Sequence, residues 1–277
     1  MDFPIDSIKA GKTTLKIYSR ILGMDQTLRY KAKIFHLKDD FSSIIFGESF
    51  NNSHFIIDSL TRTFKLRNKY SILKEDLFIP NIGMTWVIDP GTIIELKGAS
   101  VICESSVEAI GTLSNPIIFK SDYAGGIIVK NTNLPSVFKN VKFKGLTNPI
   151  NDNWMLTGSV TFYRTEVIID SCLFTDNLSE DALNIVSSDF ELLNVTINNC
   201  TSDALDIDFG NGRIQNVVVD FCKNDALDFS GSKIEIRNIK LTNVGDKAIS
   251  AGEKTILTGG GININKSFKS ISAYVSP

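Results

Sequence analysis

Histidine is nearly absent from this chain, with His36 and His54 the only two in 277 residues. Cysteine is scarce as well, at 103, 172, 200 and 222, and no Cys-x-x-Cys occurs. Zinc chemistry, which needs clusters of those residues, is thereby excluded. An excess of one charge is also lacking. The 29 basic and 31 acidic residues leave a formal net charge of -2, so no global field draws the chain to nucleic acid or an anionic membrane. No apolar run approaches the roughly 20 residues of a membrane span, and membrane insertion is not expected. The opening residues, Met1-Asp-Phe-Pro-Ile-Asp6, do not have the basic-then-apolar layout of a secretory signal. The expectation is a cytoplasmic protein, or a piece or mature form of a larger one whose other domains would be its partners. If that larger chain is secreted, the location is extracellular or at the cell surface. The last residues, Ala273-Tyr-Val-Ser-Pro277, carry no capping signal and read as a cut end.

What the chain does have is a period. Ala182, Ala204, Ala226 and Ala248 stand 22 residues apart, each inside a variant of one phrase. The phrases are Glu180-Asp181-Ala182-Leu183-Asn184-Ile185, Ser202-Asp203-Ala204-Leu205-Asp206-Ile207, Asn224-Asp225-Ala226-Leu227-Asp228-Phe229 and Asp246-Lys247-Ala248-Ile249-Ser250-Ala251. A fixed period of this length marks a chain wound into stacked, equivalent coils. With 43% hydrophobic residues, such a stack can bury a large core.

Each coil carries two strand-like stretches. In the first, apolar residues alternate around an asparagine, as in Leu192-Leu-Asn194-Val195-Thr-Ile197, Ile214-Gln-Asn216-Val217-Val-Val219 and Ile236-Arg-Asn238-Ile239-Lys-Leu241. Ile169-Asp-Ser171-Cys172 and Phe138-Lys-Asn140-Val141 are upstream relatives. The alternation breaks at the asparagine, which implies a bend through the left-handed backbone that asparagine tolerates. Stacking would then place Asn194, Asn216 and Asn238 in one amide ladder. In the second stretch, Leu183 and Ile185, Leu205 and Ile207, Leu227 and Phe229, and Ile249 and Ala251 alternate at period two and should face the core. Asn184, Asp206, Asp228 and Ser250 lie between them and should face solvent. Cys200 and Cys222 share one slot on successive coils, which Leu178 and Val244 are expected to fill on the flanking coils, so these cysteines read as core packing.

Two to three short strands per 22-residue coil, stacked in parallel about 4.8 Å apart, make an all-β solenoid. Over roughly residues 80 to 265 the chain resembles the right-handed parallel β-helix proteins of the pectate-lyase-like superfamily. The resemblance begins at Ile79-Pro-Asn-Ile-Gly-Met-Thr-Trp-Val-Ile-Asp-Pro-Gly-Thr-Ile-Ile-Glu-Leu96 and continues in Ala109-Ile-Gly-Thr-Leu-Ser-Asn-Pro-Ile-Ile-Phe119. Residues 154 to 253 also resemble segments of uncharacterised, larger bacterial surface or polysaccharide-related proteins. The resemblance implies the fold and a carbohydrate setting, and it carries no catalytic residue with it.

The expected division is a small N-terminal β module or cap over residues 1–75 and the parallel β-helix over 76–277. Thr13-Thr-Leu-Lys-Ile-Tyr18 and Tyr30-Lys-Ala-Lys-Ile-Phe-His-Leu37 are strand-like, with polar turns at 23–25 and 38–40. A cap would cover the apolar surface and unpaired edge of a terminal coil. Residues 144–158 read as a longer loop leaving the stack, with Trp154 packing it onto the coils or facing a ligand.

The register also aligns charge. Asp181, Asp203, Asp225 and Lys247 form one row, and Asn184, Asp206, Asp228 and Ser250 another, with Asp208 beside them. Three readings stay open. The aspartates are turn formers that accept backbone N–H bonds. Alternatively, Asp181, Asp206, Asp208 and Asp228 supply the oxygen-only ligands that suit Ca²⁺. The third is catalysis on a polysaccharide. By resemblance to β-helix hydrolases and lyases, Asp203, Asp206, Asp225 and Asp228 would provide acid and base, with Lys247 the base of a lyase. The Gly-His-Gly and Arg-Ile-Lys phrases of the hydrolases are missing, and a lysine among carboxylates is favoured as ammonium. The leading expectation is thus a non-catalytic, carbohydrate-associated module binding glycan or a cation along the acidic face. The alternative is a polysaccharide hydrolase or lyase. A binding module should show exposed aromatics beside the polar row, for which Phe209, Phe221 and Trp154 are the candidates.

Overall fold

The computed structural model describes residues 14–20, 27–33, 54–122, 124–151 and 154–273, with side chains described only for 54–122, 124–150 and 155–273. The chain separates into two compact units, 1–49 and 50–277. In the first, Thr14–Arg20 and Thr27–Lys33 form an antiparallel pair running from Thr14 opposite Lys33 to Arg20 opposite Thr27. The turns expected at 23–25 and 38–40 lie outside the described residues, as does the side chain of Trp154.

The second unit is an all-strand parallel β-solenoid of about nine turns, with coils about 23 residues apart. Every coil contributes to three sheets. Near the middle of the stack the first sheet runs through Val167–Asp170, Asp189–Leu193 and Asn211–Gln215. The second runs through Leu173–Thr175, Thr196–Cys200 and Val218–Cys222. The third runs through Gly158–Tyr163, Asp181–Val186, Asp203–Asp208 and Leu227–Ser230. The last two coils are the long strands Lys233–Gly252 and Ile256–Ala273, which bend through all three sheets. None of the helices among the described residues is long and apolar enough to cross a membrane.

The coils turn their corners on left-handed residues. Asn140, Ser171, Asn194, Asn216 and Asn238 hold φ between 50° and 55° at the first corner, as the broken alternation requires. The amide ladder forms: Asn238 donates to Asn216 at 3.2 Å, Asn216 to Asn194 at 3.0 Å, and Asn194 to Asp170 at 2.9 Å. Asp176, Asn199, Phe221 and Asn243 turn the second corner, and Arg164, Ser187, Phe209, Gly231 and Glu253 the third, all at positive φ.

Inside, equivalent side chains stack. Phe143 lies between Phe119 and Phe174, with ring centroids 5.5 and 4.7 Å apart and near-parallel planes. Each such buried side chain contributes about 1.5–3 kcal/mol relative to exposure. The expected inward residues from Leu183 and Ile185 to Leu227, Phe229 and Ile249 are fully buried, whereas Ala251 is only partly so. All four cysteines are free and buried, and Cys200, Cys222 and Val244 share one slot.

Leu178 does not join that slot. The pairing of Thr175 with Asn198 shows an offset of 23 here, which puts Asn177 level with Cys200. Asn177 is 1% exposed and accepts the Leu146 amide at 3.1 Å, whereas Leu178 is 50% exposed. The start of the solenoid also lies upstream of 76. Thr63–Leu66, Tyr70–Leu73 and Leu77–Ile79 already pair in parallel with the next coil, and Phe55–Asp58 folds back antiparallel on Thr63–Leu66.

Candidate functional site

The third sheet carries the acidic residues, and its strands set their spacing. Asn184, Asp206, Asp228 and Ser250 are in register on successive coils, so their backbones repeat at about 4.8 Å. Asp208 sits one outward position further along, between Val186 and Ser230. The expectation that this row faces open solvent holds only in part. Asn184 is 4% exposed and Asp206 and Asp228 are half-buried. Upstream the row is less polar, with Ile102, Ile128 and then Thr161 preceding Asn184 in register and all buried.

The flanking row is structural in its lower half. Asp203 Oδ1 accepts the Asp225 amide at 2.8 Å, and Asp225 Oδ1 accepts the Lys247 amide at 2.9 Å. Each carboxylate thus caps the coil that follows it, as expected of a repeated turn former. Asp225 Oδ2 also pairs with Lys247 Nζ at 2.7 Å, with Asp246 a second partner at 3.4 Å. The hydrogen bond to Asp225 raises the Lys247 pKa. Lys247 therefore stays protonated at neutral pH, which removes it as a lyase base. Asp203 and Asp225 are tied to backbone and do not present free carboxylates for acid–base work.

The upper end of that row differs. The Asp203 amide goes to the Glu180 carbonyl at 2.7 Å instead of to a side chain. Asp181, only 2% exposed, is left with an unpartnered Oδ2. Burial pushes its carboxyl up to about 7, with the charges of Asp203, Glu180 and Asp208 adding to the effect against a hydrogen bond from Thr157.

Asp206 and Asp228 are the pair whose carboxyls do not cap the next coil, although Asp228 takes a backbone hydrogen bond from Phe229. Asp206 Oδ2 accepts a bond from Asn184 Nδ2 at 3.0 Å. Burial, then the nearby charges of Asp181, Asp208, Asp228 and Asp203, push its pKa up to about 8. Burial also raises Asp228, opposed by a hydrogen bond from Ser250. Asp203 rises to about 6 and Asp208 also rises, both chiefly through burial. Asp206 thus favours its protonated form, beside carboxyls that also hold their protons more tightly than usual, and the face presents donors and acceptors side by side.

Among the described residues no group of three or more His, Cys, Asp or Glu side chains is arranged to hold a metal ion. The set Asp181, Asp206, Asp208 and Asp228 shares a face without converging on one point. Two of the exposed aromatics expected beside the row are present: Phe209 follows Asp208 at the third corner, and Phe221 stands at the second. Arg164, one of the third-corner residues, carried no signal in the repeated phrases. No protein-family model matches the chain, and no curated protein matches it.

Proposed function

We propose that the chain is a carbohydrate-associated β-solenoid module that binds a neutral glycan along the acidic face of its third sheet. One observation carries this reading: Asn184, Asp206, Asp228 and Ser250 form a polar row in register whose two carboxyls have, among the described residues, no cationic side chain as hydrogen-bond partner. Amide, two carboxyls and hydroxyl in sequence suit a ligand that offers hydroxyls as both donors and acceptors. An anionic polymer would bring further negative charge to a row of carboxyls, which disfavours acidic polysaccharides. The resemblance to the pectate-lyase-like superfamily supports a carbohydrate setting. Membership of a larger bacterial surface chain goes with that reading.

The test is affinity electrophoresis through neutral and acidic polysaccharides, with wild type beside Asp206→Asn/Asp228→Asn. Retardation by a neutral polymer that the double variant loses supports the proposal. Migration unaffected by every neutral polymer overturns it.

A second reading is hydrolysis, favoured by the retained proton on Asp206 next to Asp228. Asp206 would give that proton to the glycosidic oxygen as the bond breaks. Asp228, on the adjacent strand about 4.8 Å away, would bond to the anomeric carbon as the glycosidic bond breaks, and a water deprotonated by Asp206 would then release the sugar from it. This reading predicts new reducing ends from a neutral polysaccharide, lost in Asp206→Asn alone. Binding without any release of reducing ends leaves the module non-catalytic.

A further inference from the structure

The third corner of the solenoid, which adjoins the acidic face, is built against the preference of its own backbone. Its left-handed position is occupied on successive coils by Asn131, Arg164, Ser187, Phe209, Gly231 and Glu253, with φ between 45° and 59°. At the first corner the same conformation falls to Asn140, Ser171, Asn194, Asn216 and Asn238, four of them the residue type that adopts it most readily after glycine. Arginine and phenylalanine have no such aptitude, and glycine serves one coil further on. Strain of this kind persists where the side chain it places is needed.

Burial does not explain the two bulky residues. Phe209 is 60% exposed, and its contact with the stack is at the ring edge. A Cβ added to Gly231 would come within 2.6 Å of Phe209 Cδ1 and 2.7 Å of Cε1. Arg164 is exposed with its guanidinium 5.0 Å from the centre of the Tyr163 ring. Among the described residues it has no carboxylate partner. What the two share is a cavity of about 380 Å³, with Ser187 between them and Thr132, Glu166 and Asp189 also in the lining. The hydroxyls beneath are already committed: Thr132 Oγ1 bonds Thr165 Oγ1, and Ser188 Oγ accepts the Thr165 amide at 3.2 Å. Thr165 and Ser188 thus form the floor, while the outer groups remain available. Asp189 Oδ1 receives only a 3.3 Å bond from Asn211.

We propose that this corner cavity is a pyranose-binding subsite for a neutral sugar, with Phe209 as its stacking platform and Arg164, Glu166 and Asp189 as its hydroxyl-binding groups. The proposal rests on the glycan reading of the adjoining face and names where the bound chain turns the corner. An exposed, positionally fixed ring covers the C–H face of a sugar ring. Planar guanidinium and carboxylate groups bind adjacent hydroxyls in pairs. Two carboxylates against one guanidinium, with Asp208 next to Phe209, oppose a uronate in the same place.

The test is saturation-transfer NMR with cellotetraose, xylotetraose and maltotetraose as neutral probes and tetragalacturonate as the anionic one, on the full chain. Phe209→Gly removes the platform at a position where glycine relieves the backbone, so its melting temperature should equal or exceed that of wild type. Expected results are binding of at least one neutral probe, weakened at least tenfold by Phe209→Gly and by Arg164→Gln, with tetragalacturonate at least tenfold weaker. Loss of binding in Phe209→Gly together with a lowered melting temperature would show a structural residue and overturn the proposal. Tetragalacturonate bound as tightly as the neutral probes also overturns it. If neutral binding survives Phe209→Gly but is lost in Asp206→Asn/Asp228→Asn, this subsite falls and the acidic-face reading stands. The reverse pattern leaves this subsite standing and removes the face. Binding of no probe overturns both.

Discussion

Asp225 holds Lys247 twice, through the backbone amide at 2.9 Å and the ammonium at 2.7 Å. The two partners are not equally buried, since the Asp225 side chain is 2% exposed and that of Lys247 25%. Removing one is therefore not equivalent to removing the other. Lys247→Met strands a buried carboxylate and should cost about 3 kcal/mol. Asp225→Asn keeps an acceptor for the amide and frees an ammonium that water can reach, at a cost of about 1–2 kcal/mol. Urea denaturation of the two variants gives both values, and equal losses would contradict the asymmetry.

The raised carboxyls set the pH response. Asp206 near 8, Asp181 near 7 and Asp203 near 6 all lie above an unfolded value of about 3.9. The folded state binds these protons more tightly than the unfolded chain, so their contribution is fully present below about pH 4. It is lost as pH rises through the folded values toward 8. Asp206→Asn, which cannot ionise, should flatten this slope and melt higher than wild type at pH 8 while matching it near pH 4. Thermal melts at the two pH values check the sign.

The asparagine ladder makes Asn216 a test of two effects at one position. Asn216→Ala loses the bonds to Asn194 and Asn238 and places alanine at φ 55°, which together should cost about 2–3 kcal/mol. Asn216→Gly loses the same bonds but accepts the conformation, so it should cost about 1 kcal/mol less. The difference between the two denaturation midpoints isolates the backbone contribution.

Burial pushes the thiols of Cys103, Cys172, Cys200 and Cys222 up to about 12. Thiolate is the reactive form, so none should react with a thiol reagent in the native protein at pH 8, and all four should react in denaturant. Rapid labelling of any one in the native state would contradict this packing.

The coil and its contents were legible because they repeat. Leu205 and Leu227 declare the core, Asn194 and Asn216 the bend, and Asp206 and Asp228 their alignment, all from one spacing. Where the spacing slips, the reading slipped with it. One extra residue between Thr175 and Asn198 moved Leu178 out of the cysteine slot and Asn177 into it. The first coil, 63–79, lacks the alanine phrase, so the solenoid was expected to begin too late. Period two says that Asn184 does not point inward, but it says nothing about what lies over it. The third-corner residues could have been found, because Phe209 stands 22 residues before Gly231 and so inherits a glycine's backbone. Arg164 is harder, since the 23-residue offset hides the equivalence.

The three-cornered coil also sets the unit in which this chain can change length. Excising residues 211–232 would bring Asn194 against Asn238 and Leu205 against Ile249, while at the third corner Phe209 would meet Glu253 in place of Gly231. Removing 21 or 23 residues there leaves the later strands facing inward only where a corner absorbs the odd residue, as happens in the 23-residue coil before Asn198. Whole coils are thus the change of length that keeps every ladder in register, and single-residue changes belong at the corners.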